Sequence, residues 1–249
     1  HMDNYEVYDI GDTPDSVGTN DGTVNNGATT GPGAIPADPS VAMTFDGVND
    51  YVRTARQVSD NFSLELWFNS TQGIGAGGAW TTGAGLVDAN TAGTTNDFGI
   101  SLSSAGRVLA GTGNADTTVQ SGTGLNDGNW HHVVFTRVRA SGALVLYVDG
   151  AQVATGTGST NALTASANID FGRLQTAANY FAGSLDEVAV YNVALSPATV
   201  ASHYDTARTA EVWTNPENHS YKFEVTMANT NAVEGLSSTA TFKWEARNQ

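Results

Sequence analysis

The sequence contains no cysteine, few basic residues and no long apolar run. Without cysteine, the 249-residue chain can form neither disulfide bonds nor zinc–thiolate centres. A chain of this size can still bury enough surface to be stable without such cross-links, so the lack of cysteine does not argue against export. No apolar run is long enough to span a bilayer, and we therefore predict no membrane insertion.

Basic residues are outnumbered, with 10 Lys and Arg against 25 Asp and Glu, which gives a formal net charge of −15. A nucleic-acid-binding protein needs a basic surface to neutralise phosphates, and no cluster of Lys or Arg is present. We therefore predict no nucleic-acid partner, and an anionic membrane surface is disfavoured for the same reason. The acidity is compatible both with simple surface solubility and with divalent-cation sites, and composition leaves both open.

Glycine is abundant at 28 residues, and hydrophobic residues make up 40% of the chain, which is typical of short strands joined by turns. Alternation over residues 62–68 places Phe62, Leu64, Leu66 and Phe68 on one face, with Ser63, Glu65 and Trp67 on the other. Asp149-Gly150 predicts a two-residue hairpin turn. Ser196-Pro197 predicts the start of one short helix that ends near Asp205. The fold class is therefore all-β, a two-sheet antiparallel sandwich with one helix.

The C-terminal tail, 208–249, predicts a β-hairpin that follows the main domain at 5–207. Its last ten residues, 240–249, resemble the last strand of camelysin-type proteins, exported bacterial matrix and fibre subunits. A two-stranded hairpin is marginally stable by itself, so we expect it to pack on the sandwich or on another chain.

Four segments in order carry a wider family resemblance: FDGVNDYV at 45–52, WHHVVFT at 130–136, LYVDGAQV at 146–153 and GSLDEVAVY at 183–191. Together they resemble the laminin-G-like, pentraxin-like branch of the concanavalin A-like jelly rolls. The resemblance implies a jelly-roll sandwich. It also implies a function among the lectins, calcium-dependent adhesion modules and glycosidases that share this fold.

Catalytic patterns are missing, so we predict that the protein is not an enzyme. Glycosidases of the concanavalin A-like fold resemble one another in a Glu-x-Asp-x-x-Glu strand, and no glutamate of this chain falls in that spacing. Asp186 and Glu187 are adjacent on a strand and point to opposite faces. The chain has neither cysteine nor a Gly-x-Ser-x-Gly motif. His131 and His132 are also adjacent, so they cannot chelate one metal ion from one face.

A first candidate calcium site combines the turn residues Asp46, Asn49 and Asp50 with Asp186. Calcium prefers six to eight oxygen ligands from carboxylates, amides and main-chain carbonyls. In jelly rolls that this chain resembles, a similar turn and a late acidic residue often meet at a structural cation. Asp, Asn and Gly also build tight turns without any metal, and both interpretations stay open.

A second candidate calcium and ligand site lies on the rim loops. Asp97 begins a strand that resembles the one whose leading Asp binds calcium in laminin-G domains. The site is predicted to include Asn96, Asp97, Asn114, Asp116, Gln175 and Asn179. The loop that resembles the acidic pentraxin loop, 173–179, has no carboxylate here, which favours a single calcium ion over a pair.

An exposed aromatic platform is the other feature that sugar binding requires. Trp80, in a glycine-rich loop, and Tyr180-Phe181 are the candidates; alternatively, Trp80 closes one end of the sandwich. Trp67, Trp130 and Trp244 lie in alternating strands and are predicted to be core residues.

These patterns predict a secreted or cell-surface bacterial module for binding or adhesion. We expect it to recognise carbohydrate or an extracellular protein ligand through its rim loops, with calcium as the cofactor. The alternative is a structural subunit of an extracellular matrix or fibre that self-associates through its C-terminal strands.

Overall fold

A computed structural model describes residues 20–209 except 37, 39, 73, 74, 76, 94, 177 and 178, together with the strand at residues 5–8. Fifteen strands and one helix lie in this part of the chain. They are β1 (Tyr5–Tyr8), β2 (Thr23–Asn25), β3 (Thr29–Pro32), β4 (Val41–Asp46), β5 (Tyr51–Ala55), β6 (Phe62–Asn69), β7 (Ala84–Asp88), β8 (Phe98–Leu102), β9 (Val108–Thr112), β10 (Thr117–Gln120), β11 (Trp130–Val138), β12 (Ala143–Val148), β13 (Ala151–Thr157), β14 (Asn168–Phe171), β15 (Ala182–Tyr191) and α1 (Pro197–Arg208).

The strands form two antiparallel sheets that pack face to face. The first sheet has the order β13-β12-β11-β6-β15-β4-β3, and β1 pairs with β15 beside it. The second sheet has the order β10-β9-β8-β7-β14-β5-β2. This topology confirms the predicted two-sheet jelly-roll sandwich with one short helix. No helix in the described residues is long and apolar enough to span a membrane.

The core between the sheets follows from the alternation of apolar residues along each strand. Phe62, Leu64, Leu66 and Phe68 all face it, as their spacing predicts. The Phe62 ring packs 4.7 Å from Phe98 of the second sheet and 6.0 Å from Phe135, centroid to centroid. The Phe62–Phe98 contact joins the two sheets, whereas Phe135 lies beside Phe62 in the first sheet. Burial of large aromatic rings is a major source of packing energy.

The hairpin and helix signals are also confirmed. Asp149 and Gly150 have φ angles of 49° and 76°, the positive values that a type I′ turn requires. Ser196 caps α1, since its side-chain oxygen accepts a hydrogen bond from the Thr199 N–H, and a proline occupies the first turn. The helix ends at Arg208, three residues beyond the predicted Asp205.

The predicted boundary at 207/208 and the predicted C-terminal hairpin stay predictions. Arg208 completes α1 and Thr209 caps it, and residues 210–249 lie outside the described part of the chain. The interpretations that depend on the tail, including self-association through its strands and the core role of Trp244, lie outside it too.

Candidate functional site

Trp80 lies on the outer face of the second sheet, where it is fully buried. Its ring covers Gly99 and Gly111, which are directly paired on β8 and β9. A Cβ atom at Gly111 would lie 2.3 Å from Trp80 Cδ1, and one at Gly99 would lie 2.9 Å from Cζ3. The flat approach of the indole is therefore possible because both strand residues are glycines. The prediction of Trp80 as an exposed sugar platform is corrected, since its ring has no exposed face on which a sugar could stack.

The first candidate calcium site is also corrected by the strand register. Asp46 lies opposite Ala182, and Asp186 is four residues farther along β15, which corresponds to about 13 Å. The Asp46 carboxylate accepts the Val48 and Asn49 N–H groups, and Asp50 accepts the Asp46 N–H at 3.1 Å. Asp46, Asn49 and Asp50 therefore build the turn, and Asp186 lies too far away to share a cation with them.

The second candidate site forms a cleft of about 240 Å³ at one end of the second sheet, which we call the rim cleft. It is lined by Thr81, Asn90, Thr91, Ala92, Gly93, Asp97, Asp116 and Thr176. Asp97 and Asp116 were predicted to meet here, and they do. Asn114 donates to Asn96 Oδ1 at 2.9 Å, so the two predicted asparagines join the loops that carry these aspartates.

Asp97 is the most unusual side chain of the rim cleft. One carboxylate oxygen, Oδ2, accepts the Thr91 N–H at 3.0 Å and the Thr95 hydroxyl at 2.7 Å. The other, Oδ1, is buried and has no hydrogen-bond partner in the part of the chain that the structure describes. Burial raises the pKa of Asp97, hydrogen bonds from Thr91 and Thr95 oppose this, and the nearby Asp116 charge raises it again. A buried carboxylate oxygen without a partner is costly unless something positive or protic satisfies it.

Three other predicted ligand residues do not line the rim cleft. Gln175 uses its amide to hold the loop, since it donates to the Asp88 and Asn168 carbonyls and accepts from Ser166. The Asn179 side chain donates to the Thr82 carbonyl, and its φ of 61° lies in the left-handed region. The Tyr180 carbonyl accepts the Gln72 side chain, away from the cleft. These residues shape the loops around the cleft instead of facing it.

Sequence analysis missed Asp88, which lies beneath the Gln175 loop. It is fully buried, and Oδ2 accepts the Asn90 and Gln175 N–H groups, while Oδ1 has no partner among the described residues. Burial raises the pKa of Asp88 to about 7, and the nearby Asp170 and Asp97 charges add to this effect. No local motif marks it, because Asp170 and Gln175 come from a distant part of the chain.

The oxygen-rich surface of the rim cleft fits a hard cation better than a transition metal. Its polar groups are two carboxylates, an amide and threonine hydroxyls, which are the donor types that calcium prefers. Within residues 20–209, as far as the structure describes them, no three His, Asp or Glu side chains converge as metal ligands. A calcium ion here would therefore rely on the Asp97 and Asp116 carboxylates together with neutral oxygens.

A second polar cluster occupies the outer face of the first sheet, beneath α1. The Glu65 carboxylate is hydrogen-bonded to His132 Nε2 at 2.7 Å, to His203 Nδ1 at 3.0 Å and to the Tyr191 hydroxyl at 2.7 Å. Trp67 is 7% exposed on this face, where the Tyr204 ring stacks on it at 5.7 Å. Trp67 is thus buried under the helix and not in the core between the sheets. Glu65, Trp67 and His203 also border an open groove of about 510 Å³.

The folds of known proteins agree with this architecture. Domain 4 of an extracellular arabinanase from Geobacillus stearothermophilus, in complex with arabinotriose, superposes with a TM-score of 0.61 at 19% identity, covering 82% of this chain and 97% of that domain. The binding domain of Botulinum Neurotoxin DC, in complex with SialylT, gives 0.62 at 12% identity, with 83% of this chain and 51% of that one covered. The binding domain of Paraclostridial Mosquitocidal Protein 1 superposes with a TM-score of 0.64 at 14% identity, and the superposition covers 82% of this chain and 52% of that one. This chain therefore spans about half of the toxin binding domains.

The fold and loops define a concanavalin A-like jelly roll. The family model described as "Concanavalin A-like lectin/glucanases superfamily" matches residues 45–201, and the chain belongs to this superfamily. No curated protein matches the sequence at a significant level. The match confirms the resemblance that the four sequence segments carried.

Proposed function

We propose that this chain is a non-catalytic carbohydrate-binding module whose rim cleft binds sugar with the help of one calcium ion. The observation that carries the proposal is the Asp97 carboxylate, which lines the cleft and whose buried Oδ1 has no hydrogen-bond partner among the described residues. Asp116 lines the same cleft, so a cation between the two carboxylates would neutralise both. Sugar hydroxyls are neutral oxygen donors that can complete such a coordination shell.

The superposed proteins support a binding role. The arabinanase domain is in complex with arabinotriose, and the binding domain of Botulinum Neurotoxin DC is in complex with SialylT in one structure and with rat synaptotagmin II in another. Carbohydrate is favoured over protein as the ligand because the rim cleft is small and polar. Secretion or display at the cell surface is part of the same proposal, because the arabinanase is extracellular and an acidic surface favours solubility there.

A non-catalytic role fits the arrangement of the carboxylates. Retaining glycosidases need two carboxyl groups about 5 Å apart on either side of the scissile bond. Glu65, the most buried glutamate of the outer sheet face, is already bonded by His132, His203 and Tyr191. Burial alone would raise the pKa of Glu65, but the bonds from His132 and His203 lower it to about 2, so Glu65 is a poor proton donor at neutral pH.

Thermal denaturation with calcium tests the cation. A site with two carboxylates is expected to bind calcium with a dissociation constant of about 1 mM, which is within the range of extracellular calcium-binding modules. At 10 mM calcium such a site stabilises the fold by about 1.4 kcal/mol. The melting temperature of the wild-type protein should then rise by about 3–6 °C. Asp97→Asn should remove this rise, whereas Asp205→Asn on the exposed surface of α1 should keep it.

Ligand binding is tested on an array of neutral and acidic oligosaccharides, with calcium and with chelator. We expect wild-type protein to bind at least one glycan, and Asp97→Asn to weaken that binding by tenfold or more. Retained binding in Asp97→Asn would place the sugar elsewhere. Absence of both a calcium shift and a bound glycan would refute the proposal. Antibody labelling of intact cells and culture supernatant of the source organism tests the location.

A further inference from the structure

A compact cationic surface stands out on the outer face of the second sheet, next to the part that Trp80 covers. We call it the arginine face, and it consists of Tyr51, Arg53, Asp170 and Arg173. Both lysines of the chain, at 222 and 243, lie in the tail, so the described part carries its permanent positive charges on seven arginines. Two of these seven meet here, in a chain with a net charge of −15.

Strand pairing brings the members of this face together. Arg53 on β5 lies directly opposite Asp170 on β14, and Asp170 lies opposite Asp88 on β7. Val52 and Phe171, the neighbours of Arg53 and Asp170, belong to the core. Because strand residues alternate between faces, Arg53 and Asp170 point outward.

Asp170 anchors both guanidinium groups. It accepts Arg53 Nε at 2.7 Å and Arg53 Nη2 at 2.9 Å, and it accepts Arg173 Nε at 2.7 Å. The Asp170 side chain is fully buried, whereas the Arg53 side chain is 36% exposed. One buried anion therefore fixes two cations, and Arg53 is the more accessible of them, because the Arg173 side chain is 12% exposed.

Tyr51 supplies a flat surface for the same groups. The Arg173 guanidinium carbon lies 3.6 Å from the centre of the Tyr51 ring, and that of Arg53 lies 5.5 Å from it. Burial would lower the pKa of Arg173, but hydrogen bonds with Asp170 and Tyr180 raise it. Stacking on Tyr51 and hydrogen bonding to Asp170 hold the Arg173 guanidinium in one position, which reduces the entropy lost when an anion binds.

Among the described residues, the arginine face has one more cation than it has hydrogen-bonded carboxylates. Two guanidinium groups share one carboxylate, which accepts only three of their N–H groups. Arginine forks match carboxylates in shape and hydrogen-bonding geometry. A second carboxylate against Arg53 and Arg173 would balance the charge, and a sugar ring that carries it could lie against the Tyr51 side chain.

We propose that the arginine face binds the carboxylate of an acidic sugar, a uronate or a sialate, as a second subsite beside the rim cleft. This inference rests on the proposed carbohydrate-binding function. From the pairing of Asp170 with Asp88 and of Asp88 with Gly99, about 12 Å separates Asp170 from Asp97 across the sheet. The loop after β14 links the two places, because Arg173 belongs to one and Thr176 lines the other. A short oligosaccharide can span that distance.

The test compares each acidic sugar with its uncharged counterpart by isothermal titration calorimetry. Trigalacturonate is paired with its methyl ester, and 3′-sialyllactose with lactose, in 150 mM NaCl. We expect at least one acidic sugar to bind about tenfold or more tightly than its counterpart, as charge-assisted hydrogen bonds predict. Equal binding within both pairs would overturn the inference.

Variants at the arginine face test whether a preference for acidic sugars arises there. Arg173→Lys keeps the charge but loses the fork and should weaken acidic-sugar binding about tenfold. Tyr51→Leu leaves the three hydrogen bonds to Asp170 in place and should weaken acidic-sugar binding several-fold. This second variant still tests the arginine face if Arg173→Lys does not fold. Arg139→Gln, an exposed arginine paired with Asp60, serves as the control. A preference that survives Arg173→Lys and Tyr51→Leu in folded protein would overturn the inference.

Different outcomes refute the rim cleft and the arginine face as sugar-binding sites. If neutral sugars bind through Asp97 but acidic sugars have no advantage, the arginine face is refuted and the rim cleft stands. If acidic sugars bind through Arg173 but Asp97→Asn changes nothing, the arginine face is supported and the rim cleft is refuted. If no sugar of either kind binds, both are refuted.

Discussion

The hydrogen bonds to Glu65 should make the stability of the protein depend on pH in a defined window. Burial would raise the pKa of this carboxyl group, but the bonds from His132 and His203 outweigh burial and lower it from 4.5 to about 2. This change corresponds to about 3 kcal/mol of stability at neutral pH. Because the pKa is lower in the folded state, that stability is complete above pH 4.5 and is lost as the pH falls towards 2.

Linkage gives the size of the effect at a usable pH. With pKa values of 4.5 unfolded and about 2 folded, about 2 kcal/mol is lost by pH 3. Between pH 6 and pH 3, the free energy of unfolding should fall by about 2 kcal/mol more in the wild-type protein than in Glu65→Gln. Asp60→Asn serves as the control, because the Asp60 side chain is 61% exposed and pairs only at the surface.

His203 adds the opposite dependence on the alkaline side. Its hydrogen bond to Glu65 raises the pKa of His203 above 6.5, and burial partly opposes this. The corresponding stability is therefore complete below pH 6.5 and is lost as the pH rises through the higher folded-state value. Urea denaturation at several pH values measures both limbs. Parallel pH profiles for wild type and Glu65→Gln would show that Glu65 contributes no ionic stabilisation and would refute this reasoning.

Two further predictions concern packing. Gly111→Ala should destabilise the fold by about 1–3 kcal/mol, because its methyl group would overlap the buried indole ring, whereas Gly122→Ala has open space and should be nearly neutral in thermal denaturation. Arg137→Met should cost about 3 kcal/mol or more in urea denaturation, because its fully buried guanidinium donates to four main-chain carbonyls that would lose their partner. Arg139→Met, at an exposed position, should change stability by less than about 0.5 kcal/mol, and equal losses at Arg137 and Arg139 would contradict the second prediction.

Much of the fold follows from local patterns that the sequence carries openly. Alternation along β6 identified the core face, Asp149-Gly150 identified a hairpin, and Ser196-Pro197 identified the start of α1. Each of these signals acts over a few residues, through side-chain direction, backbone φ or capping. The sandwich could therefore be predicted because many such signals agree.

The candidate sites were predicted only in part, because a site depends on which loops meet. The meeting of Asp97 and Asp116 was foreseen, but the separation of Asp46 from Asp186 is a matter of strand register that no local motif encodes. Trp80 was misjudged for a related reason. Its burial depends on Gly99 and Gly111, which are adjacent only after β8 and β9 pair.

The sequence by itself determined the class of the fold, the absence of disulfides and the scarcity of positive charge, because these depend on composition and short-range periodicity. Tertiary structure alone decided which charges are buried and which meet. Asp88, Asp97 and Asp170 look alike in the sequence, yet one lies under a loop, one faces a cleft and one holds two arginines. Their surroundings come from distant strands, so their chemistry exists only once the sheets have formed.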